Sequence, residues 1–264
     1  MKTPSHLSRR AILSTLLVGA AVPAYAANGA PDFLQLPVEG MERVSPTVWV
    51  KSFAPNVWIT CFTFDAGGRL GWIPCNGLIV AGEPGPTIVD TGNTREQGEL
   101  LLQIAARVAG APAAQAIATH FHEDRTGGVE AMRAANVPVH AHPYSIGLAQ
   151  AYDHPVPMPV RGLEKAAVRL GPVELFYPGA GHARDNITVW HGESGVLFGG
   201  CLLRATTDTG IGSLADADIS AYPASIARLI ERYPQRRHTI PGHGSAAGDA
   251  LEWTRQLLAA RAAN

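Results

Sequence analysis

The sequence predicts one α/β domain in which two mixed β-sheets pack face to face, with helices on their outer sides. Strand-like runs followed by helix-like runs occur in the first half of the chain and again in the second half, a pattern typical of sheets covered by helices. The 264 residues are 46% hydrophobic and 16% charged, with no long linker or low-complexity segment after residue 30. One domain of this length can therefore enclose a sizeable core.

Short apolar runs predict the strands, and longer amphipathic runs between them predict the helices. In the first half we expect strands at 48–51, 58–64, 77–81, 87–89, 115–119 and 137–141, with helices near 94–109 and 128–135. In the second half we expect strands at 173–177, 187–190, 196–198 and 238–240, with helices near 221–233 and 249–262.

The first 26 residues predict an export signal. Lys2, Arg9 and Arg10 form a basic start, residues 11–21 an apolar core, and residues 24–26 a small-x-small cleavage site. The apolar core is too short to span a bilayer, so an uncut membrane anchor is the weaker interpretation. The segment also resembles a twin-arginine signal, although a general secretory signal explains the same residues. We expect residues 27–264 to form the mature domain and the bacterial periplasm to be its location.

The charge of the mature chain excludes some partners. Removing the signal deletes three basic and no acidic residues, which leaves 18 Lys and Arg against 22 Asp and Glu, a balance of −4. This balance disfavours nucleic acid as a partner, as well as a stable association with an anionic membrane.

Two imidazoles and a carboxylate alternate along one loop. His120, His122 and Asp124 stand between the predicted strand at 115–119 and the Gly127-Gly128 pair that precedes a helix. Imidazole and carboxylate are ligands that hold Zn²⁺ while leaving positions open for water. The loop therefore predicts a metal site.

Three more residues of ligand type follow strand-like runs. His182, Cys201 and His243 each come after an apolar segment, with glycine crowding the preceding positions. Glycine permits the close approach that several converging loops require. We expect all six residues to meet in one small volume.

In this order, the six residues and the upstream segment Ile88-Val89-Asp90-Thr91-Gly92 resemble the metallo-β-lactamase family, specifically its two-zinc subclass B1. The likeness runs from about residue 48 to 257. It is closest to the Verona-integron type at 171–182 and 215–218. The resemblance implies the four-layer αβ/βα sandwich of this superfamily, with the metals at one edge between the halves.

The resemblance also implies a cofactor and a reaction. His120, His122 and His182 would bind a first zinc ion, and Asp124, Cys201 and His243 a second. The implied enzyme is a class B β-lactamase that hydrolyses the amide bond of penicillins, cephalosporins and carbapenems and so confers antibiotic resistance. Asp124 would orient the attacking hydroxide. Three neutral imidazoles leave zinc at its full charge, which acidifies a coordinated water towards a pKa of about 7.

Two other functions stay open at the level of sequence. Hydrolases of this superfamily that act on a lactone or a thioester usually carry His after the loop aspartate and Asp at the position of Cys201. This chain has Arg125 and Cys201 there, which favours a β-lactamase. A non-catalytic zinc-binding module is the other alternative.

Two residues are predicted to support the metal ligands without being ligands themselves. Arg125 is expected behind Asp124 and Cys201, where it would fix their orientation. Asp90 is expected to support the metal loops in the same indirect way.

Other side chains of ligand type are expected outside the site. His140 and His142 form a second HxH pair at a strand end, with no carboxylate nearby. Cys61 and Cys75 flank a turn-like segment at 65–70, and a turn centred on Gly68 would place them opposite each other. We predict a disulfide between them, which an oxidising periplasm allows; two buried free thiols are the alternative.

The resemblance further implies a surface that binds a small-molecule β-lactam in a monomeric protein. Its residues are Arg204, Gly212 and Ser213 on one side, and Phe64, Leu70 and Trp72 on the opposite hairpin. Arg204 stands where relatives commonly have Lys, and its planar guanidinium suits a carboxylate. A solvated surface charge is the alternative for this arginine.

Overall fold

The computed structural model describes residues 40–65 and 72–263, and it contains the two mixed sheets that the sequence predicts. The predicted signal at 1–26 and Leu70 lie outside the described residues, and only the backbone of Phe64 is described.

The first sheet has eight strands, which lie side by side in chain order. They are β1 (Glu42–Ser45), β2 (Val48–Ala54), β3 (Val57–Asp65), β4 (Trp72–Val80), β5 (Thr87–Val89), β6 (Gln115–Ile117), β7 (Val139–Ala141) and β8 (Met158–Pro159). Strands β1 to β5 are antiparallel, whereas β5 to β8 run parallel. The parallel strands place the loops that follow β5 and β6 at the same edge of the sheet.

The second sheet has five strands in the order β13-β12-β11-β10-β9. They are β9 (Val168–Leu170), β10 (Val173–Phe176), β11 (Thr188–His191), β12 (Val196–Gly200) and β13 (His238–Pro241). Strands β12 and β13 are parallel, so the loops after them also lie at one edge.

Six helices accompany the sheets in the described part of the chain. They are α1 (Arg95–Ala109), α2 (Glu123–Thr126), α3 (Val129–Ala134), α4 (Pro143–Ala151), α5 (Tyr222–Arg232) and α6 (Ala250–Ala262). Helix α4 is not among the predicted helices, because the sequence places His140 and His142 at the end of a strand, and Pro143 follows them. The proline instead opens the helix, where its missing N–H costs nothing, and His142 caps it by accepting from the Tyr144 N–H.

Three apolar layers hold the sandwich together. Between the sheets, residues such as Ile59 and Leu78 pack with Leu175 and Phe198. The outer face of the first sheet packs on α1 and α3, and the second sheet packs on α5 and α6. The order helix, sheet, sheet, helix is the predicted four-layer architecture.

The predicted disulfide is wrong. The three cysteines are free, and the β3–β4 register pairs Cys61 with Asn76 and Cys75 with Phe62. Neighbouring residues of a strand point to opposite faces of the sheet, so a shift of one residue separates the two thiols. The alternative of two buried free thiols is the one observed.

The loop that follows β6 packs directly against the backbone of the loop that follows β5. A Cβ on Gly128 would lie 2.0 Å from the Thr91 carbonyl oxygen, and one on Gly127 would lie 2.2 Å from that of Asn93. Only glycine permits such an approach. The Gly127-Gly128 pair thus locks the loop after β6 onto the loop after β5.

Candidate metal centre

The six predicted ligands stand on loops that converge at one edge of the sandwich. His120, His122 and Asp124 follow β6, with Asp124 in the first turn of α2. Cys201 follows β12 directly, His243 follows β13, and His182 lies in the loop between β10 and β11. Loops at strand ends of both sheets therefore supply the site.

Three histidines form one half of the site. Nε2 of His120 and Nδ1 of His122 lie 2.9 Å apart, and the ring centroids of His120 and His122 are 5.0 and 5.2 Å from that of His182. Burial lowers the pKa of His182 to about 3, and burial with neighbouring imidazoles lowers that of His120. Both rings are therefore neutral at physiological pH, the form that binds metal.

A carboxylate, a thiol and an imidazole form the other half. Cys201 Sγ lies 3.1 Å from His243 Nε2 and 3.7 Å from Asp124 Oδ2, and His243 Nε2 lies 3.3 Å from the same carboxylate oxygen. Burial opposes the ionisation of Asp124, but the Arg125 guanidinium and His243 hold the pKa of this carboxyl well below its usual range. Burial raises the pKa of the Cys201 thiol, so a bound metal would be needed to ionise it.

The donor atoms fit a metal. Within the described residues, three sets of ligand atoms each lie within 4.8 Å of one another: His120 with His122 and Asp124, His120 with His182 and Cys201, and Cys75 with Asp124 and His243. The buried Nδ1 atoms of His120 and His182 have no hydrogen-bond partner. Imidazole, carboxylate and thiol together are a donor set typical of zinc.

Arg125 is fully buried behind the second half of the site. One of its terminal nitrogens lies 2.9 Å from Asp124 Oδ2 and donates to Cys201 Sγ at 3.0 Å. The other donates to Asp90 Oδ2 at 3.0 Å and to the Asn76 carbonyl at 2.8 Å. The guanidinium holds three acidic groups in a fixed arrangement.

Asp90 connects Arg125 to the metal loop. It is fully buried, and its carboxylate accepts from the Thr119 N–H at 2.8 Å and from the Thr119 hydroxyl at 3.1 Å. Thr119 directly precedes His120. Asp90 therefore contacts the backbone of the loop and lies beside the site without being part of the donor set.

His122 has a carboxylate partner that the sequence does not predict. Its Nε2 lies 2.9 Å from Asp216 Oδ2, and the Tyr152 hydroxyl donates to Asp216 Oδ1 at 2.7 Å. A carboxylate on the far nitrogen of a histidine fixes the ring and its tautomer, which leaves Nδ1 of His122 for metal. Asp216 lies in the segment 215–218 that carried part of the resemblance, but no local pattern gave it a role.

Cys75 also lies at the site, which the sequence does not predict. Its Sγ lies 3.9 Å from Asp124 Oδ2, and the residue forms an isolated antiparallel bridge with His243. The register that removes it from Cys61 turns its side chain towards the metal centre.

Arg204 is not a solvated surface charge. Its guanidinium pairs with Asp208 Oδ2 at 2.6 Å, and its side chain is only 15% exposed. One terminal nitrogen lies so close to Gly212 that a Cβ there would be 2.6 Å from it. Gly212 and Ser213 are exposed beside it, and Trp72 is half-buried at the start of β4.

The second HxH pair lies apart from the donor sets. His140 is half-buried in β7, and His142 is buried at the start of α4. Neither is part of a metal-type cluster among the residues that the structure describes.

Comparisons with known proteins agree with this geometry. The model of the metallo-β-lactamase superfamily matches residues 70–263. Two curated proteins named metallo-β-lactamase type 2 are similar. One from Bacteroides fragilis is 33% identical over 220 residues, 82% of this chain and 87% of that protein. One from Pseudomonas aeruginosa is 31% identical over 205 residues, 78% of this chain and 81% of that protein.

Solved structures show the same relationship. A metallo-β-lactamase from Erythrobacter litoralis superposes with a TM-score of 0.76 at 34% identity, covering 83% of this chain and 99% of that one. The mono-zinc form of a metallo-β-lactamase from Pseudomonas aeruginosa gives 0.77 at 29% identity, covering 83% and 97%. The chain belongs to the metallo-β-lactamase superfamily, as its motifs predicted.

In the described part of the chain, no helix is both long and apolar enough to cross a bilayer.

Proposed function

We propose that this protein is a zinc-dependent β-lactamase that opens the amide bond of penicillins, cephalosporins and carbapenems and so confers resistance to them. The observation that carries the proposal is the convergence of three imidazoles with a carboxylate, a thiol and a further imidazole at one edge of the sandwich. Similar proteins named metallo-β-lactamase, matched over about four fifths of the chain, support the substrate class.

We assign the six donors to two zinc ions, following the division that the resemblance to subclass B1 implies. His120, His122 and His182 would hold the first, and Asp124, Cys201 and His243 the second. Bound zinc would supply Lewis-acid chemistry, polarising a carbonyl group and making water more acidic. Two ions per chain is the stoichiometry that this division supports.

The residues around the ligands prepare the site for hydrolysis. Arg125 keeps Asp124 ionised and fixed, so that this carboxylate can orient a water molecule for attack on the lactam carbonyl. Asp216 fixes the His122 ring from outside. This reaction needs no serine nucleophile, and none is assigned.

Arg204 is the candidate for substrate capture. β-Lactams carry a carboxylate beside the fused ring, and a guanidinium matches it with parallel N–H groups. Asp208 already occupies part of this guanidinium. Its remaining donors, with the exposed backbone at Gly212 and Ser213, would bind the substrate carboxylate and carbonyl.

A lactone or thioester hydrolase of the same superfamily is the alternative. Arg125 and Cys201 argue against it, because lactone and thioester hydrolases of this superfamily usually carry His and Asp at these two positions. We further propose that residues 1–26 direct export to the periplasm, the compartment in which such an enzyme meets β-lactams.

The test is a substrate panel on the purified mature protein. Turnover of nitrocefin, a penicillin and imipenem is expected, with loss of activity in a strong chelator and recovery when zinc returns. An acyl-homoserine lactone and a glutathione thioester are the matched controls. Turnover of either control without any β-lactam hydrolysis would contradict the proposal, as would full activity with less than one zinc per chain.

A further inference from the structure

Cys75 is a buried thiol whose backbone pairs with Phe62 on one side and with His243 on the other. It lies in β4, opposite Phe62, and its side chain is fully buried. It forms an isolated antiparallel bridge with His243, and Nδ1 of His243 lies 2.9 Å from the Pro74 carbonyl oxygen. The strand that carries the thiol is therefore joined directly to the loop that carries a metal ligand.

The thiol lies near two members of the second donor set. Cys75 Sγ is 3.9 Å from Asp124 Oδ2, and the ligand atoms of Cys75, Asp124 and His243 all lie within 4.8 Å of one another. The Sγ of Cys201 is 3.7 Å from the same carboxylate oxygen. The two thiols thus stand at similar distances from one shared donor atom.

These separations are close to those between the ligand atoms of a zinc ion. Zinc bonds of about 2.0–2.3 Å in a tetrahedron keep ligand atoms roughly 3.3–3.8 Å apart. Asp124 Oδ2 is 3.3 Å from His243 Nε2, 3.7 Å from Cys201 Sγ and 3.9 Å from Cys75 Sγ. A small adjustment of the Cys75 side chain would bring its sulfur to the distance of a ligand.

We propose that Cys75 is a second thiolate ligand of the metal site formed by Asp124, Cys201 and His243. Binding forms a sulfur–metal bond and releases the thiol proton to water. The added negative charge is offset by the dication and by Arg125, which lies within 3.0 Å of both Asp124 and Cys201. Four protein donors make a set that holds soft divalent metals tightly.

The proposal rests on the metal site of the proposed function and not on its reaction. A protein that binds two metals but hydrolyses no β-lactam would overturn the proposed function and leave this inference standing. The experiment therefore counts sulfur ligands and does not measure turnover.

Cobalt provides the count in solution, because thiolate-to-Co²⁺ charge transfer absorbs in the near ultraviolet in proportion to the number of bound thiolates. With two Co²⁺ per chain, Cys75→Ser is expected to lose about half of this absorption, since one of two thiolates is removed. Cys201→Ser is expected to retain about half of it at saturating cobalt, for the same reason. Cys61→Ser is the matched control, because Cys61 is equally buried on the other face of the same hairpin and its loss should change nothing.

The proposal would be overturned by an unchanged band in Cys75→Ser or by complete loss of the band in Cys201→Ser, each with two bound cobalt ions confirmed by metal analysis. A measurement on the unmodified protein covers the case in which a variant does not fold. X-ray absorption at the zinc edge of the two-zinc protein is expected to give two sulfur ligands per two zinc ions. One sulfur per two ions would refute Cys75 as a ligand.

Discussion

The two halves of the metal centre are supported in different ways. The half that contains Asp124 and Cys201 rests on Arg125, whose side chain is completely buried and contacts Asp90 as well. The half that contains His122 rests on Asp216 and Tyr152 at the rim, where the Asp216 side chain is 21% exposed and Tyr152 is 51% exposed.

The difference in burial predicts how costly it is to remove the supporting residues of each half. Buried charges are held in place because leaving one unpaired is costly, whereas a partner near water can be replaced by solvent. Loss of a support should therefore destabilise the fold in the half that contains Asp124 and Cys201. In the half that contains His122, surface substitutions should change metal binding without destabilising the fold.

Replacing Arg125 should have the largest effect. Arg125→Leu leaves Asp90 and Asp124 buried without their cation, and the free energy of unfolding of the metal-free protein should fall by about 3–5 kcal/mol. Denaturant unfolding measures this loss. Arg107→Leu is the control, because its pair with Glu42 is exposed and contributes about 0–1 kcal/mol. Equal losses in the two variants would show that the buried Arg125 stabilises the protein no more than an exposed ion pair does.

Cys201→Ser should separate the two halves in metal binding. A hydroxyl is a poorer donor than a thiolate for a soft divalent metal, so the second metal should bind more than about 100-fold more weakly while the first is retained. Hydrolysis should fall by orders of magnitude in parallel. Chelator competition with metal analysis checks it, and equal weakening of both metals would show that the halves act as one unit.

Substitutions of Asp216 and Tyr152 should weaken the first metal, and by less than Cys201→Ser weakens the second. Asp216→Asn should weaken the first metal by about 10–100-fold, because His122 loses the carboxylate that fixes its ring. Tyr152→Phe removes only the hydroxyl that orients Asp216, and its effect should be smaller. Tyr144→Phe is the control, since Tyr144 is equally exposed. A larger loss at the second metal than at the first would contradict the assignment of Asp216.

Arg204→Ala should leave metal binding unchanged and weaken the binding of substrate. Lost binding of the substrate carboxylate should raise KM for penicillins, cephalosporins and carbapenems with zinc content unchanged. Steady-state kinetics with metal analysis checks both. Unchanged KM across the three classes would place the substrate carboxylate elsewhere.

The sequence predicts the six residues of ligand type and the buried supports Arg125 and Asp90, but it does not predict the residues that support His122. His120, His182 and His243 each follow a strand-like run and a glycine-rich or short connection, so local patterns suffice to find them. Asp216 and Tyr152 come from distant segments, and their contact with His122 arises only from the fold. No periodicity or spacing links such residues.

In the β3–β4 hairpin, a shift of one residue in the strand register changes the environment of Cys75. A turn centred on Gly68 predicts Cys61 opposite Cys75, whereas the observed pairing joins Cys61 to Asn76. Side-chain direction alternates along a strand, so this small difference moves Cys75 from a cross-strand partner to the edge of the metal centre.

The Gly127-Gly128 pair limits where this enzyme family member can vary. Because the carbonyl oxygens of Thr91 and Asn93 leave no room for even a methyl group, the loop with three candidate metal ligands cannot shift without moving the strand end beneath it. Substitutions that adapt the protein to new substrates must then accumulate elsewhere. The exposed residue Ser213 is where sequence change can alter selectivity, whereas Gly212 is fixed by its φ of +81° and by Arg204, whose guanidinium would lie 2.6 Å from a Cβ at that position.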